Sequence, residues 1–278
     1  MVFSPDVRTL AWCGSQDGIV SLGEVAIGQE RAQFTGHRSS ARALAFASNG
    51  KFLISAGDDT TALVWDLTGR SSVAPAGFFP LSEPKLAACW EDLASPQATR
   101  AYLAVQRLMR NPALSAAFLG KRLMPVPVVD KKRLARLIAD LDSNSFQIRQ
   151  GATAELEKLG GSAAAALRAA LADKISLEVR QRVQKLVDKL AIWTPERLRA
   201  LRGLEVLEGI GSRASRKVVA SLAQGATGAW LTGGGGDGEV TAGFKETKIV
   251  ASERKLVAWK PDSILTRKPA YRTFTIMA

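Results

Sequence analysis

The stretch FLISAGDDTTALVWDL, residues 52–67, decides how the chain is read. Two short β-prone runs, FLIS and ALVW, flank the acidic turn Asp58-Asp59-Thr60. Just upstream, ALAF is separated from KFLIS by Ser48-Asn49-Gly50. Apolar runs of this length broken by Asn-Gly and Asp-rich turns predict antiparallel hairpins. The same region holds Ser55, Asp59 and Trp65, and the chain's only histidine, His37, precedes it. A serine, an imidazole and a carboxylate are the components of a nucleophilic hydrolase. Such a set works only with the base beside an activated, substrate-accessible serine.

The first 35 residues repeat the plan. Phe3 aligns with Phe46 at an offset of 43, and Asp17 with Asp59 and Leu22 with Val64 at an offset of 42. The one-residue slip falls in a turn, where hairpins tolerate it. A period of about 40–45 residues with four strands per unit is the sequence signature of a propeller blade. Gly36-His37, followed by Asp59-x-Thr61-x-x-x-Trp65-Asp66, resembles a WD40 repeat. The resemblance implies that His37, Ser55, Asp59 and Trp65 form a hydrogen-bonded network inside one blade, a structural clamp with no catalytic role. In the first unit Gly23 stands at the tryptophan position and Glu24 at the aspartate, so that unit lacks the clamp. Propellers close with about 4–8 blades. Less than two repeats here leads to the expectation of the C-terminal part of a larger propeller protein, or of a propeller completed by another polypeptide.

Beyond Gly69 the segment RSSVAPAGFFPLSEP reads as a linker. After it the period becomes helical, with Leu86, Trp90 and Leu93, then Ala101, Leu103, Val105 and Leu108. Ser95-Pro96 and Thr194-Pro195 read as helix starts, a cap followed by proline at the first position. LDSNSFQIRQGATAELEKLG and LADKISLEVRQRVQKLVDKL match each other. Asp142 precedes Arg149, and Asp173 precedes Arg180, by seven residues each, and the sets lie 31 apart. This resembles HEAT-like repeats, which implies turn aspartates meeting helix-start arginines between stacked helix pairs. PERLRALRGLEVLEGIGSRASRKVVASLAQG reads as a third pair, with Gly209 at the aspartate position. Over residues 1–232 the layout resembles large bacterial WD40-repeat proteins that end in a helical region, carried by WEDLASPQATRAYLAVQRL and RLMPVPVVDKKRLARLIADLDS.

The expected architecture is therefore a β + α multidomain chain. Residues 1–70 form a partial WD40 β-propeller of two repeats, 71–84 a linker, 85–232 a HEAT-like α-solenoid, and 233–278 a Gly-rich, irregular tail. GGGGDG in that tail lacks the lysine and hydroxyl of a phosphate loop. KIVAS and KLVAW, further on, could pair as a short hairpin. Trp90 and Trp193 are expected as core anchors. Two cysteines, Cys13 and Cys89, form no CxxC pair and, with one histidine, complete no usual zinc site. No catalytic, cofactor or metal site is expected. No secretory leader or membrane span is visible in the sequence, and a cytoplasmic location is expected. The net charge of +12 concentrates in residues 128–225, where 18 Lys+Arg stand against 11 Asp+Glu. The expected function is a non-catalytic protein–protein interaction scaffold. The alternative is a nucleic-acid-associated regulator using the basic helices, although that region has only Phe146 and Trp193 as aromatics for base stacking.

Overall fold

The computed structural model describes residues 1–14, 18–69, 81–173 and 175–226, and the strand at 271–275. Asp17, most of the linker, the Gly-rich run and the KIVAS and KLVAW segments lie outside the described residues. The chain divides into two compact units. One comprises residues 1–122, 195–216 and 247–278; the other comprises 123–194 and 217–246.

The first unit opens with a four-stranded antiparallel meander: β1 (Val2–Phe3), β2 (Thr9–Cys13), β3 (Ile19–Glu24) and β4 (Gln29–Thr35). A second sheet follows, with β5 (Ala41–Phe46), β6 (Phe52–Gly57), β7 (Thr61–Asp66) and β8 (Tyr271–Thr275) in that order. The two sheets face each other. Ala11, Val20, Leu22 and Phe34 of the first pack against Leu53, Leu63 and Trp65 of the second, all buried. Alternation along each strand delivers these residues to one side, as period 2 requires. Phe34 stacks on Trp65 with ring centroids 5.3 Å apart.

The strand β8 corrects the expectation of an irregular tail for residues 271–275. Thr61 pairs with Thr275 and Trp65 with Tyr271. Without it β7 would be a sheet edge with a row of unpaired backbone groups. YRTFT is rich in β-prone residues, but no neighbouring pattern marks it in the sequence.

The helices are α1 (Glu83–Leu93), α2 (Ala98–Met109), α3 (Pro112–Gly120), α4 (Lys131–Asp140), α5 (Phe146–Leu159), α6 (Ala164–Ala172), α7 (Leu177–Ala191), α8 (Pro195–Ile210) and α9 (Arg213–Ala223). Thr194-Pro195 opens α8 as predicted. Ser95-Pro96 does not open α2, which begins at Ala98; the Ser95 hydroxyl instead accepts the Gln97 N–H in the preceding turn.

The expected single helical domain is divided. α1, α2, α3 and α8 belong to the unit of the two sheets. α8 packs on α1, α2 and α3, and α2 also packs on β4. The stretch read as a third repeat pair thus contributes its first helix to a different bundle. Gly209 lies against the Met109 side chain there, whose thioether end would have to move for any larger residue at that position. α8 is buried on several sides, at Leu198, Leu201, Leu204, Leu207 and Ile210, rather than along one stripe.

In the second unit α4 packs on α5 and α6 on α7, and the two hairpins stack α4 on α6 and α5 on α7. Leu134, Leu137 and Leu141 meet Leu156, Leu167, Val179, Val183 and Leu186 in a continuous core. Each fully buried leucine there contributes roughly 1.5–3 kcal/mol. No helix among the described residues is long and apolar enough to cross a membrane.

Candidate functional site

The turn between β6 and β7 brings the four predicted blade residues into one hydrogen-bonded chain. The Trp65 indole N–H donates to Ser55 Oγ at 2.8 Å. Ser55 Oγ lies 2.7 Å from His37 Nε2. His37 Nδ1 lies 3.1 Å from both Asp59 carboxylate oxygens. Asp59 also accepts the Arg38 N–H at 2.7 Å, the Thr61 N–H at 3.1 Å and the Thr61 hydroxyl at 2.8 Å. A neutral imidazole satisfies every link: Ser55 O–H donates to Nε2, and Nδ1–H donates to Asp59.

This order of groups is that of a nucleophilic triad, and burial decides what it can do. The imidazole is 0% and Ser55 1% exposed. Ser55 Oγ already accepts the indole N–H, and its own proton is held by the imidazole. No carbonyl carbon can reach the hydroxyl, so this set cannot attack an external substrate. Burial works to raise the Asp59 carboxyl, but the Arg38 N–H, the Thr61 hydroxyl and N–H and His37 outweigh it and hold it well below the usual carboxylate range.

Blade 1 solves the same packing problem with other residues. Leu10 pairs with Gly23 where Leu53 pairs with Trp65. Trp12 stands where Ser55 does, and a Cβ on Gly23 would come within 2.8 Å of the Trp12 ring. The indole of the neighbouring strand thus lies over the glycine. Absence of the tryptophan at position 23 leaves no void.

A second constellation was not legible as a site. Three residues on one stripe of α8, Arg202, Glu205 and Glu208, meet three complementary residues of blade 1. Arg202 binds Glu24 with two hydrogen bonds, 2.9 and 2.7 Å, and donates to the Leu93 and Ser95 carbonyls at 2.7 Å each. Arg31 donates to both Glu205 oxygens, at 2.8 and 3.0 Å, and to Thr9 Oγ1 at 3.0 Å. Arg8 pairs with Glu208. Arg31 also stacks over the Tyr102 ring, 4.5 Å from its centroid. Burial lowers the Arg8 and Arg31 guanidinium groups, but Glu208 and Glu205 outweigh it and both end above their ordinary value. Burial pushes the Tyr102 phenol up to about 12, against the pull of Arg31. The only sequence signal was complementary charge: arginine, glutamate and glutamate at i, i+3 and i+6 on α8 answer Glu24, Arg31 and Arg8 of the blade in that order.

The predicted Asp–Arg pairs of the second unit are corrected. Arg149 donates to the Ser143 and Asn144 carbonyls at 2.7 and 3.0 Å. Arg180 donates to the Leu171 and Asp173 carbonyls at 3.0 and 3.3 Å. Seven residues of spacing put each guanidinium over the backbone of its own turn, and the carbonyls left unpaired at a helix end attract a cation. Asp142 instead accepts a 2.9 Å hydrogen bond from Ser176, which caps α7 through the Val179 N–H. The link between successive hairpins therefore runs from aspartate to serine.

Trp90 is half-buried, edge-on to Phe118 and beneath Arg199, whose guanidinium lies 5.1 Å from the ring centroid; Trp193 is half-buried too. Among the described residues no group of three or more His, Cys, Asp or Glu side chains could hold a metal.

Residues 28–66 match the family model of the WD domain, G-beta repeat. The match spans β4 to β7 and includes His37, Ser55, Asp59 and Trp65. No curated protein matches the chain.

Proposed function

We propose that the chain is a non-catalytic scaffold for protein–protein interaction, with a partial WD40 propeller and a HEAT-like stack formed by α4 to α7. WD40 repeats serve generally as platforms for other proteins, and the repeat at 28–66 supports that role here. The observation that carries the reading is the closed Ser55–His37–Asp59 chain. The set with a hydrolase's composition is spent inside the blade, at 0–1% exposure for serine and imidazole. Rigid blades and stacked helices then offer shaped surfaces without chemistry. We read the chain as similar to large bacterial WD40-repeat proteins with a helical end, acting in the cytoplasm.

Nucleic-acid binding is the weaker reading. Part of the basic excess is already paired: Arg133 with Glu155, Arg182 with Glu178 and Lys189 with Glu157.

Three measurements on the full chain test the proposal. A fluorophosphonate serine probe is expected to leave Ser55 unlabelled, and labelling at that residue overturns the non-catalytic reading. Crosslinking mass spectrometry in a lysate is expected to recover specific proteins; none above a denatured-chain control removes the scaffold. Retention on duplex DNA that falls steeply with salt would put the nucleic-acid reading in its place.

A further inference from the structure

The two sheets, aligned residue by residue, expose a mismatch in burial. One face of blade 1 carries Ala11, Val20 and Leu22, which are 0%, 0% and 1% exposed because blade 2 lies on them. At the repeat offsets of 43 and 42 the same positions in blade 2 are Ile54, Ala62 and Val64. There Ile54 is 40% exposed, and Ala62 and Val64 are partly open. Cross-strand pairing adds Ala45 beside Ile54, and Ala43 beside Ala56, all three alanines exposed. The six residues form two apolar rows across β5, β6 and β7; by register the rows continue on β8, with Phe274 beside Ala62 and Arg272 beside Val64. Solvent-facing strands normally alternate to polar residues on their open side, and flat apolar sheet surfaces of this kind mark interfaces.

The opposite side of blade 1 is the complementary surface. Blade 2 packs on blade 1 with Phe46, Leu53, Leu63 and Trp65. The equivalent positions in blade 1 are Phe3, Leu10, Ser21 and Gly23, with Trp12 lying over the glycine. Phe3 is 40% exposed, and Leu10 and Trp12 are half-buried. The chain therefore carries both halves of an interface that it already forms once internally.

We infer that the open face of blade 2 receives the Phe3–Leu10–Trp12 face of blade 1 from a second copy of this chain. Repetition of the internal blade contact then closes a ring of identical chains. The inference rests on the reading of the two sheets as propeller blades. Its occupant is argued from the continuity of the open faces with the internal blade–blade interface. The contact is head-to-tail, one face meeting a different face, and such contacts close into rings when the rotation fits. Propellers close with about 4–8 blades, so two, three or four copies of the two sheets described here satisfy the geometry.

The test is the mass of the full chain in solution, by sedimentation equilibrium and native mass spectrometry over a range of concentrations. A dimer, trimer or tetramer is expected. Ile54→Glu places a charge on the receiving face, and Phe3→Glu on the inserting face. Both positions are exposed, so each variant keeps the far-UV and near-UV dichroism of the wild type but sediments as a monomer. Mixing the two leaves one intact face on each: a one-to-one heterodimer forms, and no ring. A wild-type chain that stays monomeric at every concentration overturns the inference, as does an assembly indifferent to Ile54→Glu. Face-to-same-face pairing would leave one of the two variants assembled alone and likewise overturns it. A monomeric wild type that still binds another blade-bearing protein, blocked by Ile54→Glu, overturns self-assembly while leaving the scaffold reading intact.

Discussion

Arg202 of α8 and Glu24 at the end of β3 form a bidentate ion pair with 1% and 4% of their side chains exposed. They are 178 residues apart in sequence. The remaining donor of Arg202 closes the Leu93 and Ser95 carbonyls, so every guanidinium nitrogen has a partner. Removing one member strands the other in the interior, which costs about 3–5 kcal/mol. Arg202→Met is therefore expected to lower the denaturant midpoint strongly. The double variant Arg202→Met/Glu24→Leu should recover much of the loss, because two apolar groups replace the buried charges. Urea unfolding followed by tryptophan fluorescence measures both.

Asp59 links stability to pH. Its carboxyl is held low in the folded chain by Arg38, Thr61 and His37, against an ordinary value of about 3.9 in the unfolded chain. The folded state therefore binds this proton less tightly. The stabilisation is fully present above about pH 4 and is lost as pH falls toward the folded value. Asp59→Asn removes it. The Tm gap between wild type and variant should hold steady from about pH 7 to 5 and shrink below about pH 4. A gap that widens on acidification would reverse the assignment.

Arg180 tests the helical stack. Its guanidinium holds the Leu171 and Asp173 carbonyls across the turn into α7. Loss of an ordinary hydrogen bond costs about 0.5–1.5 kcal/mol, and Arg180→Ala should lie in that range on urea unfolding. Asp173→Ala should cost less, because the bond is made by the Asp173 carbonyl, which the substitution retains. If the carboxylate mattered as the repeat resemblance implied, the two variants would be equivalent.

The elements that were legible in the sequence share one property: their signal is local. Asp59, Thr61 and Trp65 stand within one hairpin, and the alternation of FLIS and ALVW fixes which face they occupy. The clamp itself came from the resemblance to a WD40 repeat, whose Gly36-His37 and Trp65-Asp66 marks lie within one repeat. Arg202 and Glu24 carry no such signal. Each looks like an ordinary charged surface residue until the fold brings α8 to blade 1. β8 was hidden for the same reason: its partner strand lies some two hundred residues away. In the helical repeats the seven-residue spacing was visible, but the target of each arginine was not. A carboxylate and a backbone carbonyl both attract a guanidinium, and only the turn geometry selects the carbonyl.

The exchange of tryptophan and small residue between the blades gives the sharpest test of their equivalence. Blade 2 carries Ser55 and Trp65; blade 1 carries Trp12 and Gly23 at the same positions of the repeat. In each case one indole fills the space beside one small residue. Gly23→Trp alone puts a second ring where a Cβ already falls 2.8 Å from Trp12, and overpacking of this kind costs about 1–3 kcal/mol. Trp12→Ser alone uncovers the sheet, and losing a large aromatic side chain costs about 3–5 kcal/mol when it is fully buried, less at the half-buried Trp12. The double variant Trp12→Ser/Gly23→Trp restores one indole and one small residue in the arrangement blade 2 uses. Neighbours of this kind couple by about 0.5–3 kcal/mol, so its loss of unfolding free energy should be smaller than the sum of the two single losses. Additive losses in the double-mutant cycle would mean that Trp12 and Gly23 do not share one packing site, and the alignment of the two blades would fail at its central position.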